Sequence, residues 1–585
     1  MEHIHPNISP DAYFSDISPL HKQYLALRMF FADGCSAEQV ASKHGYALST
    51  VYSLIRDFKD KLASGEDPFF KEPKPGRPKL DREGEINRLV VAYRKKYMSV
   101  PEIKAALDAQ NINVSERYVY SLLTAEGFAR LPRRVNTVRN NIDPTEVCPA
   151  LRSERISCNP EKFSSQLAGL LLFLPVIKSY GIDKLIEKSD YPETSVIDRL
   201  SSILSFLALK LSDVERYSAD DAWCMDRGMG LFAGLNVLPK TAWFSSYSSG
   251  ITRDMNLSFL RSLCTVWRDN GLLSDTINLD FTAIPYWGDD NPYENNWSGK
   301  RTKALASIQT VLAQDPDSGL LCYSDTTIRH HNESNVVLEF LDFYHNDPKV
   351  SSNLKYLVFD SKFTTYENLN KLNKQGLKFI TIQRRSKKLD EKIAAIPDTS
   401  WKTLRVMRAN GKGRLVTACE STASLKGYDG EVRQIFIKGT TKVKAAVIIT
   451  NEFDRSLTEL VRKYSKRWLV EKDISEQIHF FHLNRNCSGI VVKVDFDLVM
   501  TILAHNLYRL FAMNLDGYSH CEAKTIFNKF ILNSGEVTVS DNSVNVSLKK
   551  KPTLPLVLDA FTGCEPVSYP WMNGKHMTFS AANFT

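Results

Sequence analysis

Apolar residues recur at helical spacing along the first part of this chain, then in short strand-length runs from about residue 275, then at helical spacing again beyond about residue 456. Near the start, His21 to Phe31 reads as a helix that Gly34 breaks. Ser36 caps a short helix, Ala37 to His44, and Gly45 supplies a left-handed turn residue. Ser49 is expected to cap a second helix, Thr50 to Leu62. The pattern repeats: Ser99-Val100-Pro101-Glu102 opens a helix with proline early and an acid in the first turn, and Ser115 precedes another running to Leu123. Further on, strands are predicted over Thr276 to Ile284, Ala304 to Ala313, Leu320 to Ile328, Lys355 to Asp360 and Lys378 to Gln383. Helices over Asn335 to Tyr344 and Tyr366 to Asn373 lie among them, giving the order β-β-β-α-β-α-β. Glycine-punctuated alternation over Lys402 to Thr417 and Glu431 to Ile449 interrupts this core, and a long helix starts near Ser456.

The expected fold class is multidomain α/β. All-α helix-turn-helix modules come first, then a helical domain, then a mixed-sheet core of the ribonuclease H-like order with an inserted β-subdomain. The boundaries read as a first module over 1–70, a basic Pro/Gly linker over 71–80, a second module over 81–141 and a linker over 142–160. The helical domain covers 161–274, the core 275–389, the insertion 390–450, the rest of the core 451–515, and a C-terminal region without an interpretable motif 516–585. In the ribonuclease H-like order the first and fourth strands lie side by side. Asp280 and Asp360 are then neighbours despite standing eighty residues apart.

Composition adds bounds. At 585 residues the chain exceeds what one core supports. A net charge of +8 permits a nucleic-acid partner without arguing for one. The longest apolar run, Ala168 to Ile177, is too short to span a bilayer, and MEHIHPNISPDAYF has no signal-peptide pattern, so a cytoplasmic protein is expected. The ten cysteines form no CxxC pair and read as reduced thiols.

Three acidic residues carry the candidate chemistry. Asp280 follows the apolar run Thr276-Ile277-Asn278-Leu279, Asp360 follows Tyr356-Leu357-Val358-Phe359, and Glu471 lies within YSKRWLVEKDISEQIHFFHLN. A carboxylate at the end of a buried strand is costly unless paired or bound to a cation. Two such groups plus one on a helix suit a two-metal phosphoryl-transfer site with hard Mg²⁺ ions. Tyr464, Arg467 and Glu471 are spaced three and four apart, so at about 100° per residue they share one helix face. They suit a DNA strand end, a phosphate and a metal respectively; an internal Arg–Glu pair on an amphipathic helix is the plainer alternative. Glu476 is a rival third carboxylate, about 140° away from Glu471. Asn278 has no role in this reading and is expected to tolerate alanine far better than Asp280.

In a helix-turn-helix the second helix enters the major groove. The DNA-contact candidates are therefore Tyr52, Arg56 and Lys59 in the first module and Arg117, Tyr118 and Tyr120 in the second. Gly76-Arg77-Pro78-Lys79 resembles an AT-hook core, with Arg77 and Lys79 as minor-groove contacts; a solvated linker is an equal reading. Asp289-Asp290 reads as a surface loop. His330-His331 and His479/His482 lack a partner set for zinc. Arg384 to Lys388 is either a solvated run or a phosphate track beside the site.

The pattern YxxRxxxE (Tyr464, Arg467, Glu471), after two strand-end aspartates and a β insertion, resembles the DDE transposases of bacterial insertion sequences, most nearly the IS-four type. Gly319-Leu320-Leu321, Asp360-Ser361-Lys362-Phe363 and His505-Asn506-Leu507-Tyr508-Arg509 add to the likeness, which covers roughly residues 160–515. The resemblance implies metal-dependent cleavage and strand transfer at transposon ends. It implies two Mg²⁺ ions, replaceable by Mn²⁺, held by Asp280, Asp360 and Glu471. It further implies transposon-end and target double-stranded DNA as partners, a homo-oligomeric synaptic complex and a bacterial, nucleoid-associated location. The family pattern continues to a lysine seven residues past the glutamate, where this chain has Ile478; Lys472, His479 and His482 are the candidate replacements. A silent, domesticated transposase acting as a DNA-binding regulator is the alternative function, and a nuclease without strand transfer a third.

Overall fold

The computed structural model describes residues 19–65, 84–95, 98–109, 112–128, 155–220, 223–286, 293–298, 303–345, 354–363, 365–407, 413–438, 445–485, 490–561 and 567–583. The chain forms two compact units, Met1–Gly84 and Glu85–Thr585.

The described part of the first unit is three helices, Pro19–Phe31, Ala37–His44 and Leu48–Ala63. They pack around Ala26, Leu27, Val40, Val51 and Ile55. Ser36 caps the second helix in a full capping box with Gln39, and Gly45 ends it at φ 62°. Ser49 does not cap the third. That helix already starts at Leu48, with Ala47 at the N-cap and no side-chain cap bond.

The second unit opens with helices Glu85–Lys95, Val100–Asp108 and Glu116–Ala125, the latter two capped by Ser99 and Ser115. These helices pack against the remainder of their unit. Lys95 Nζ lies 2.5 Å from Glu339 Oε1, His331 Nε2 lies 2.9 Å from Glu126 Oε2, and Arg329 stacks over Phe128.

The core sheet has ten strands: β2 (Thr276–Pro285), β3 (Asn295–Ser298), β4 (Lys303–Gln314), β5 (Leu321–Ile328), β6 (Tyr356–Phe359), β7 (Lys378–Ile382), β8 (Lys402–Met407), β9 (Gly413–Ser424), β10 (Glu431–Lys438) and β11 (Ala446–Thr450). Their order is β3-β4-β2-β6-β7-β11-β10-β9-β8, with β5 also on β4. The first and fourth of the predicted strands, β2 and β6, pair in parallel; β3 is not among the predicted strands. The glycine-punctuated segment 390–450 does not close on itself. Its strands continue the same sheet, because β11 pairs antiparallel with β7.

Helix Val491–Met513 carries apolar residues on every side, and it is buried almost throughout, as such a helix must be. It packs on β5 and on helices Arg199–Leu211 and Arg253–Asp269. A second sheet joins β1 (Glu161–Ser165) to β12 (Gly535–Val539), β13 (Ser543–Leu548), β15 (Lys575–Ala581) and β14 (Ser568–Tyr569). The C-terminal region thus closes back onto the start of the helical region. No helix among the described residues is long and apolar enough to cross a membrane.

Candidate active site

Leu279 and Phe359 are the last partners of the β2–β6 ladder. β6 stops there, whereas β2 runs on to Pro285 beside β4, where Asp280 pairs with Leu312. Asp280 is therefore mid-strand rather than at a strand tip. It still faces the gap left where β6 ends, and Asp360 is the first residue past that end. Both aspartates cap their own next residue: Asp280 Oδ1 accepts from Phe281 N at 2.9 Å, and Asp360 Oδ1 accepts from Ser361 N at 2.5 Å.

Asp280 is only 9% exposed. Its charge is answered by Arg467, whose Nη1 donates to Asp280 Oδ2 at 2.7 Å. Arg467 also lies over the Tyr464 ring, 5.6 Å from its centroid. Burial pushes the Tyr464 phenol up to about 12; Asp360 and Asp280 add to this and Arg467 opposes it. At neutral pH Tyr464 is thus a neutral hydrogen-bond donor, not a base. The two aspartates, the arginine and the tyrosine share one electrostatic neighbourhood.

The helix carrying these residues is not continuous. It divides into Leu457–Ser465 and Trp468–His479 around a tight joint at Lys466 and Arg467. Arg467 N donates to Tyr464 O, and Leu469 N to Lys466 O, both three residues back. The joint is pinned from below: Asn278 Nδ2 donates to Lys466 O at 3.1 Å, and Lys466 pairs with Asp317. Asn278 is fully buried. Its side chain thus holds the joint that presents Arg467, a structural part that its place in the strand did not announce.

Glu471 lies in Trp468–His479, one turn past Arg467, on a helix packed on β2 and β4. Its side chain, like that of Lys472, lies outside the described residues. The rival Glu476 is engaged elsewhere: Oε2 is 3.2 Å from His505 Nδ1, and Oε1 accepts from Ala523 N. Of the replacements for the family lysine, His482 is paired with Asp213 at 2.9 Å and His479 is exposed. Hard carboxylate oxygens, one already facing a cation, fit a divalent metal. Beside Asp360 opens a cavity of about 220 Å³ lined by Tyr366, Leu369, Thr381, Ile382 and Arg384. Arg384 Nε donates to Ser361 O at 3.2 Å, so the basic run begins next to the second aspartate.

Tyr52, Arg56 and Lys59 form an exposed stripe on the third helix of the first unit. In the second unit Arg117 and Tyr120 are exposed and Tyr118 is half-buried. Arg77, Lys79 and Asp289-Asp290 lie outside the described residues. His330 and His331 contact Asn296 and Glu126 rather than each other's ligands.

A cluster that sequence reading did not assemble is Asp473, Glu476 and His505, whose ligand-capable atoms lie within 4.8 Å of one another. Its signal was present in part: Glu476 stood on the opposite helix face, and His505 opened an unexplained motif.

Residues 275–507 match the transposase DDE domain family. That span starts at β2 and ends in the late buried helix, so it contains Asp280, Asp360, Tyr464, Arg467, Glu471 and His505. Among solved structures, the chain is similar to the piggyBac transposase synaptic complex with hairpin DNA, determined by cryo-EM. The identity is 12%, the alignment covers 60% of this chain and 77% of that one, and the TM-score is 0.32. Comparison with curated proteins finds no match.

Proposed function

We propose that this chain is a DNA transposase. It binds transposon ends and carries out metal-dependent cleavage and strand transfer at Asp280, Asp360 and Glu471. The observation that carries the reading is the placement of Asp280 and Asp360 directly after the last β2–β6 pair, with Arg467 and Tyr464 brought over them by the jointed helix. The match over residues 275–507 supports it, as does a strand order β5-β4-β2-β6-β7 of the ribonuclease H-like kind.

Asp280, Asp360 and Glu471 would hold divalent metal, Mg²⁺ or Mn²⁺, which when bound supplies charge neutralisation and an activated oxygen for phosphodiester transfer. The chain's own residues position the DNA. Arg467 is placed to share its guanidinium between Asp280 and a backbone phosphate, in the planar two-point manner that arginine allows. Tyr464 offers a phenolic proton to a strand-end oxygen. Arg384 extends the positive rim beyond Asp360. The exposed stripes at Tyr52/Arg56/Lys59 and Arg117/Tyr120 are the surfaces for end recognition by helix-turn-helix modules. A synaptic homo-oligomer completes the reading.

The test is cleavage of labelled DNA from the chain's own genomic flanks, with and without Mg²⁺. Metal-dependent nicking at a fixed end, lost in Asp280→Ala with binding retained, is expected. Binding without nicking under any divalent metal would replace this reading with a DNA-binding regulator.

A further inference from the structure

The motif His505-Asn506-Leu507-Tyr508-Arg509 has a geometry of its own. Two of its side chains grip one turn, Asp315-Pro316-Asp317-Ser318-Gly319, between β4 and β5, and a third holds the start of β5. His505 Nε2 meets Gly319 O at 3.1 Å. Asn506 brackets the next strand like a neighbouring backbone: its Oδ1 accepts from Leu321 N and its Nδ2 donates to Leu321 O, both at 2.9 Å. Arg509 donates twice to Ser318 O, at 3.1 and 3.3 Å. Gly319 sits at φ 75°, and a Cβ there would stand 2.9 Å from Arg509 Nε, so glycine is needed for both the turn and the approach.

The other edge of His505 faces the helix that carries Glu471. Nδ1 is 3.2 Å from Glu476 Oε2, and Nε2 is 3.9 Å from Asp473 Oδ2. Asp473 accepts a hydrogen bond from Gln314 at the end of β4. His505 is fully buried. A carbonyl at one ring nitrogen and a carboxylate within ion-pair range of the other favour the imidazolium form. In that form the ring has no lone pair for a metal, and the cluster of Asp473, Glu476 and His505 acts as a charge clamp.

Glu476 is five residues from Glu471, about 140° round the helix. The clamp therefore holds the back of the helix while Asn278 and Asp280 hold the joint at its start. We infer that His505 and Glu476 are positioning residues: by locking Trp468–His479 to the β4–β5 turn they set the rotation at which Glu471 meets the metal held by Asp280 and Asp360. This rests on the transposase reading of the site.

The experiment is Mn²⁺ titration of the full chain, read by electron paramagnetic resonance, beside thermal unfolding. Wild type, Asp280→Ala, His505→Gln, Glu476→Gln, the double variant His505→Gln/Glu476→Gln and Tyr508→Phe are compared. Tyr508 is on the same buried helix, and its hydroxyl donates to Leu211 O at 2.6 Å, not to a clamp residue. His505→Gln and Glu476→Gln should each weaken Mn²⁺ binding at least fivefold, and the double variant no further than the larger single change. Tyr508→Phe should lower the unfolding midpoint without moving Mn²⁺ affinity. If the clamp variants behave like Tyr508→Phe, the positioning role is wrong while the metal site stands. Should one clamp variant fail to fold, the other decides. Wild-type binding that is absent, or unchanged by Asp280→Ala, would remove the metal-site reading and this inference with it.

Discussion

Arg467 Nη1 stands 2.7 Å from Asp280 Oδ2 across 187 positions of sequence. The pair joins the middle of the central strand to the joint between two helices. Asp280 is too buried to keep an unanswered charge. The guanidinium answers that charge where the strand and the joint meet.

Arg467→Gln should then reduce Mg²⁺-dependent end cleavage about 10²-fold, the usual loss on removing one charged stabiliser of a transferring group. DNA binding should change little, because the exposed stripes proposed for end recognition are untouched. Arg467→Lys should recover only part, since an ammonium cannot bridge carboxylate and phosphate in one plane. Full activity in Arg467→Gln would show that the arginine serves only to fold the joint.

A second buried network lies away from the site. Arg253 Nη1 is 2.6 Å from Asp495 Oδ1, and its other end reaches Ser324 O and, at 3.8 Å, Asp325. Asn256 and Thr326 also bond Asp495, at 2.6 and 3.0 Å. Burial raises Asp495 despite Arg253. Arg253→Met should cost about 3–5 kcal/mol in denaturant unfolding, the penalty for stranding a buried partner. Adding Asp495→Leu should restore a good part of it. A double variant no more stable than the single one would mean that packing, not charge, sets the loss.

The core strands were legible because each alternates or runs apolar between clear turns. Thr276, Leu321 and Lys378 begin strands within a residue of their expected starts. The pairing of β2 with β6 followed from strand order, and it placed Asp280 near Asp360. Four things were not legible. The joint at Lys466–Arg467 has no glycine or proline to announce it; it exists because Asn278 and Asp280 pull on that turn from β2. Ala47 rather than Ser49 begins its helix, since tertiary packing of Val51 and Ile55 sets the helix phase ahead of a capping side chain. Segment 390–450 looked self-contained because its alternation is local, whereas its register against β7 is a long-range fact. Finally, His505 and Glu476 meet only once the late helix is laid on β5.

Helices 85–125 pack on the core through Lys95, which is paired with Glu339, and through Glu126, paired with His331. Burial raises Glu339, with Lys95 opposing that shift, so the lysine is what keeps this carboxylate tolerable. Lys95→Met should lower stability by about 1–2 kcal/mol, less than for a fully buried pair because Glu339 keeps some exposure. The helices over 85–125 should melt together with the rest of the second unit. Separate melting of 85–128 would show that these helices are an independent module after all.

The clamp also predicts a dependence of stability on pH. Burial alone would lower the His505 pKa, but Glu476 and Asp473 outweigh it and the value is raised above the ordinary 6.5. A group whose folded pKa exceeds its unfolded one binds its proton more tightly in the native state. Its contribution is therefore complete below about pH 6.5 and drains away as pH rises through the folded value. The charged and polar groups facing the ring are Glu476, Asp473 and the Gly319 carbonyl. Denaturant midpoints should fall from pH 6 to pH 9 in wild type, and fall less in His505→Gln. The gap between the two proteins should be widest at low pH and narrow upward. A gap that is constant across the range would mean that His505 contributes shape but no charge, and the imidazolium clamp would have to be given up.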